Sequence, residues 1–149
     1  MTPPARTAEQ RKQDTLDRLD RDVDVWVATA GDDGPYMIPL SFLWDGRTLL
    51  LSTPAAAPTG RNLAANGLVR LGLGLTRDVV LIEGTVDVVP AGVLPVEVGD
   101  AFAVKTGFDP RGLDEPYLYF RVTPVRVQAW REVDELRGRD LMRDGKWTV

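Results

Sequence analysis

The residues best suited to chemistry in this chain of 149 residues lie between Ser41 and Asn66. Two hydroxyls, Ser52 and Thr53, end an apolar run, and a loop of small residues and prolines separates them from Thr59-Gly60-Arg61-Asn62. That tetrapeptide reads as the opening of a short helix, with Thr59 suited to the N-cap and Asn66-Gly67 to the C-terminus. The first turn of a helix leaves amides unpaired and carries a positive partial charge, and both favour a phosphate. Arg61 adds a guanidinium, and Ser52, Thr53 or Thr59 can add hydroxyl donors. The same residues also make an ordinary capped helix with a solvated arginine, so two readings stand side by side.

Other chemistries are excluded. The chain has no Cys and no His, which removes disulfides, thiolate nucleophiles, Cys/His zinc sites and any histidine base. Asp78, Asp109 and Asp114 fall in turns where Asp is common, and no spacing singles out a carboxylate pair. No catalytic side chain and no metal site is therefore assigned. Enzyme chemistry here must come from a bound organic cofactor, from carboxylates or from a less common base.

The bulk composition, 44% hydrophobic and 27% charged, is that of a soluble globule. A net charge of −4 and a pI of about 4.8 argue against binding a nucleic-acid backbone. No apolar run approaches the ~18 residues of a membrane span, and Met1 to Arg6 lacks the apolar core of a secretory signal. A cytoplasmic protein with no membrane partner is expected. Its length suits one domain.

The elements that must position these residues follow from periodicity. Thr7 to Arg21 is a charged helix with a sparse stripe at Leu16 and Leu19, so residues 1–22 form a helix packed on a domain at 23–149. A partner-binding helix is the alternative. Strands are expected at Val23–Ala30, Tyr36–Trp44, Thr48–Thr53, Leu68–Leu75, Val79–Val89 and Tyr117–Arg131, with hairpin connections at Gly31–Gly34 and Asp45-Gly46. Val69, Leu71, Leu73 and Leu75 share a face. Gly72 and Gly74 lie opposite and point to close approach of another backbone or a flat ring. Pro39 cannot donate to a ladder, so it marks an edge strand or a backbone left open beside a ligand.

In the last strand the apolar face changes from Leu118, Phe120 and Val122 to Val125, Val127 and Ala129. A bulge near Thr123-Pro124 is expected. Beyond it Arg126, Gln128 and Trp130 share the side away from the core, either as a solvated face or as an interface. Pro95 opens a helix carrying Val98, Ala101, Phe102 and Lys105. A helical turn through Glu132 to Leu136 and a tail complete the chain. The tail's Trp147 needs a partner, a cofactor ring or its own barrel to pack on. Six strands in hairpin order with outlying helices read as a closed or nearly closed antiparallel barrel, mainly β with peripheral helices.

The order Val25-Trp26-Val27-Ala28-Thr29, Gly34, Ile38-Pro39-Leu40, Phe42-Leu43-Trp44-Asp45-Gly46, Leu51-Ser52-Thr53, Arg61-Asn62-Leu63 and Glu83-Gly84 resembles the pyridoxamine 5′-phosphate oxidase-like proteins, the flavin- and deazaflavin-dependent split barrels. The composition and the ending Leu141 to Trp147 are similar to the actinobacterial branch, which includes users of coenzyme F420. The resemblance runs from Val23 to the end. It implies a six-stranded Greek-key split barrel that forms a homodimer, with FMN or coenzyme F420 held between subunits. By position, Pro39, Leu40 and Ser41 would flank the ring, while Ser52, Thr53, Thr59, Arg61 and Asn62 would hold the phosphate. Gln128 and Trp130 would approach from the sixth strand. Many relatives carry lysine three residues before the asparagine, where this chain has Thr59.

The activity implied is an oxidoreductase that exchanges hydride with a small organic substrate. Oxidation of pyridoxamine phosphate itself is not expected, because nothing supplies a second phosphate pocket. A non-catalytic dimer that binds flavin or another flat ligand is the alternative, and a purely structural dimer a third reading.

Overall fold

The computed structural model describes residues 3–149. The helices are α1 (Ala8–Arg21), α2 (Pro58–Asn66) and α3 (Val96–Thr106). The strands are β1 (Asp24–Gly31), β2 (Gly34–Trp44), β3 (Leu49–Pro54), β4 (Leu68–Leu75), β5 (Asp78–Val89), β6 (Tyr117–Trp130), β7 (Asp140–Arg143) and β8 (Lys146–Trp147). All strand pairs are antiparallel. Their order is β3-β2-β1-β4-β5-β6-β7-β8, and an added β3–β6 pairing closes the first six strands into a barrel. Among the described residues no helix is long and apolar enough to cross a membrane.

Alternation along the strands fills the barrel. Val25 and Val27, Val69, Leu71 and Leu73, Val80 and Ile82, and Phe120, Val122, Val127 and Ala129 point inward to one core. Leu75 does not join them, and is exposed at the strand end. The parity change in β6 is a bulge: Glu83 pairs with Arg126 and Gly84 with Pro124, which leaves Val125 unopposed. Gly84 is needed there, since an added Cβ would lie 2.5 Å from Val122 and 3.0 Å from the Thr123 carbonyl.

A second core lies outside the barrel, where α3 covers β3 and β6. Leu50, Leu94, Phe102 and Tyr119 form it, with the Phe102 and Tyr119 rings edge to face at 5.5 Å. β3 is consequently buried on both faces. In α3 the inward positions are Gly99 and Phe102, while Ala101 faces solvent.

Thr7 caps α1 by accepting from the Gln10 amide at 3.1 Å. The helix buries Arg11 and Thr15 together with Leu19, so a cation belongs to its inner stripe. Arg11 donates to the carbonyls of Ala129 (3.3 Å) and Glu135 (3.0 Å). The tail, read only as a tail from sequence, forms the β7–β8 hairpin. Asp144 and Gly145 turn it with φ of 52° and 77°, as such two-residue turns require. Trp147 docks on its own barrel, with the Lys12 ammonium 5.1 Å above its ring.

Candidate functional site

The site begins where two strands part. β2 pairs with β1 along its whole first portion, from Gly34 to Ser41, but with β3 only at Phe42, Leu43 and Trp44. The Phe42 amide donates to the Val23 carbonyl at 2.9 Å. Alternation from that bond turns the backbone groups of Leu40 and Ile38 toward β1 and those of Ser41, Pro39 and Met37 away from it. Pro39 therefore sits at a free edge, where its missing donor leaves no ladder bond unmade. β3 keeps its bonds to β6 through Pro54, so its side facing β2 is open from Ser52 onward.

A groove of about 380 Å³ occupies this split, lined by Asp24, Pro39, Leu40, Ser41, Ser52, Thr53, Pro54, Phe102, Phe108 and Tyr117. Five expected ring and phosphate residues thus meet in one place: Pro39, Leu40, Ser41, Ser52 and Thr53. The opposite wall is aromatic. Phe102 comes from α3, and Phe108 and Tyr117 bracket the loop before β6 with ring centroids 5.5 Å apart. At the mouth the Ser41 hydroxyl donates to the Asp24 carboxylate at 2.6 Å. Inside, the Ser52 hydroxyl donates to the Leu118 carbonyl at 3.0 Å. No Lys or Arg is among the lining residues.

Beside the groove, Lys105 folds back under its own helix. Its ammonium lies 4.2 Å from the Phe42 ring centroid and donates to the carbonyls of Leu19 (3.4 Å) and Phe42 (3.3 Å). Burial pushes its pKa down, against the pull of Asp20 and Asp22. The Tyr119 hydroxyl, beneath α3, has no hydrogen-bond partner, and burial raises its pKa.

The start of α2 differs from expectation. Ala57, not Thr59, is the N-cap, and it offers no side-chain bond; Pro58 follows at the first helical position. The proline lacks an amide, and the Arg61 amide already donates to Ala57 at 2.9 Å. The unpaired first-turn amides that remain belong to Thr59 and Gly60, both buried. Gly60 packs so closely that an added Cβ would stand 2.3 Å from the Pro54 carbonyl oxygen. Thr59 is fully buried with its hydroxyl unpartnered.

Arg61 and Asn62 line a separate cavity of about 230 Å³ with the Asp32-Asp33 hairpin, Tyr36 and Pro58. Arg61 is exposed there. Asn62 ties α2 to β1 by donating to the Thr29 hydroxyl at 3.1 Å. Gln128 lies farther off, donating to Asp140 at 2.8 Å in a small cleft with Arg70, Glu83 and Arg126. Trp130 is half-buried, with the Arg139 guanidinium 5.7 Å from its ring centre.

The model of the pyridoxamine 5′-phosphate oxidase family matches residues 15–131. The chain belongs to the pyridoxamine 5′-phosphate oxidase family. Solved structures share the fold of this family member at low identity. A pyridoxamine 5′-phosphate oxidase from Listeria innocua superposes with a TM-score of 0.65 at 15% identity, covering 81% of this chain and 98% of its own. An F420 reductase gives 0.58 at 22%, covering 74% and 93%. A FAD-binding protein from Mesorhizobium loti gives 0.64 at 19%, covering 83% and 92%. None of the curated proteins matches the chain.

Periodicity missed Asp24, Phe102, Phe108 and Tyr117 as groove residues. The available sign was the pair of aromatic residues flanking the Asp-, Gly- and Pro-rich loop at 109–116.

Proposed function

We propose that this family member binds a flavin or deazaflavin ring in the β2–β3 groove and serves as an oxidoreductase for a small organic substrate. The observation that carries the reading is the splay of β2 from β3. It sets two open main-chain edges and an aromatic wall around a space of ring size. When bound, such a ring accepts or gives a hydride. Leu40, Phe102, Phe108 and Tyr117 exclude water from its faces. The main-chain groups of Ser41 and Ser52, turned into the split, orient its polar edge.

The reading also calls for two copies. Pro39, Trp26, Gly72, Leu81 and Gln128 follow one another across the sheet in register. Four strand spacings separate Pro39 from Gln128, roughly 19 Å along the sheet. Gln128 of the same protomer lies outside the groove. The outer sheet face carries Trp26, Met37 and Leu81, exposed at 51%, 61% and 37%. Beside them runs the charge-paired row Arg70, Glu83 and Arg126. Clustered exposed apolar residues rimmed by charge mark interaction surfaces.

Absorbance and fluorescence titration of the purified protein with riboflavin, FMN and F420 tests the proposal. Quenching with micromolar affinity by at least one ring is expected. Absence of binding by all three at high micromolar concentration would refute it.

A further inference from the structure

We infer that the groove selects rings without a phosphate monoester, so that riboflavin binds this chain better than FMN does. The inference rests on the ring-binding reading above and concerns the ligand's tail. A phosphate dianion needs cations or open amides. Lys105, beside the groove, is committed to the carbonyls of Leu19 and Phe42, and three further features withhold the rest. The groove lining holds a carboxylate, Asp24, and no Lys or Arg. The first-turn amides of α2 that lack partners belong to Thr59 and Gly60, which are buried, and the Pro54 carbonyl oxygen closes against Gly60. Arg61 opens instead onto the cavity shared with Asp32 and Asp33.

The groove also uses its hydroxyls internally. Ser41 donates to Asp24 at 2.6 Å and Ser52 to the Leu118 carbonyl at 3.0 Å. A hydroxyl committed to a carboxylate has no hydrogen left for a phosphate oxygen. A tail ending in hydroxyls can accept at the edge and donate to Asp24, whereas a dianion meets Asp24 as a like charge. At a water-exposed mouth one such unfavourable pairing amounts to about three- to tenfold in affinity at low salt.

The test is fluorescence titration of the full-length protein with riboflavin and with FMN at low ionic strength, repeated in ~0.3 M salt. Riboflavin is expected to bind at least about threefold more tightly than FMN, with the gap narrowing as salt screens Asp24. Asp24→Asn should bring FMN to within about twofold of riboflavin. FMN binding as tightly as riboflavin or more tightly in the unaltered protein would overturn the inference and leave the ring-binding reading standing. Binding of neither would overturn both. A preference for riboflavin that does not change with salt would also overturn it, because that preference would not arise from Asp24.

Discussion

Replacing Glu135 with glutamine should loosen the N-terminal helix and the tail from the barrel together. Arg6 donates to this buried carboxylate through its amide (2.9 Å), Nε (3.1 Å) and Nη2 (2.7 Å), and the Arg131 amide adds a fourth bond at 2.9 Å. These bonds, the Arg6 side chain foremost, hold the Glu135 pKa at about 2, down from its ordinary value of 4.5 and against the opposing effect of burial. A shift of that size corresponds to about 3 kcal/mol. Because the folded pKa is the depressed one, the stabilisation is complete above 4.5 and is lost as pH falls toward 2. Glu135→Gln keeps the shape and removes the charge, so urea unfolding at pH 7 should report a loss of about 3 kcal/mol. The thermal midpoint should fall by about 6–12 °C. The variant should also be less sensitive than the parent to a change from pH 5 to pH 2.5. A loss under ~1 kcal/mol at pH 7, or an unaltered acid profile, would refute the reasoning.

Gly60→Ala would place a Cβ 2.3 Å from a backbone oxygen; it should destabilise by ~1–3 kcal/mol in denaturant titration. Phe102→Ala opens the second core and removes one groove wall. A loss of ~3–5 kcal/mol should accompany weakened flavin quenching. On the two-copy proposal, Trp26→Glu on the exposed sheet face should leave circular dichroism unchanged while sedimentation shifts from dimer to monomer; a dimer that persists would remove this face from the interface.

The sequence made single strands legible because alternation is a local property. The inward side of β4, Leu75 apart, and the change of side at Val125 in β6 were readable from types alone. So was the end of α2 at Gly67, whose φ of 71° suits glycine. Features that depend on contacts between distant segments were not. The burial of β3 on both faces depends on Phe102 of α3, which is distant in sequence. Nothing in sequence near Arg11 announces the carbonyls of Ala129 and Glu135 that receive it. The β7–β8 hairpin had a local sign in Asp144-Gly145, but its strands are too short for alternation to mark. Of the site, the two strand edges were visible as Pro39-Leu40-Ser41 and Ser52-Thr53. The aromatic wall was not, since the groove exists only where the β2–β3 ladder stops. Thr59 suited an N-cap by type, yet Ala57 caps the helix and Pro58 starts it, two residues earlier than that cap would set.

The most direct test of ring binding in the β2–β3 split is an amide NMR titration with riboflavin. The account predicts that the largest shifts cluster at Leu40, Ser41, Ser52, Thr53 and Phe102. Shifts centred on Arg61 and the Asp32-Asp33 hairpin, or none at saturating flavin, would contradict it.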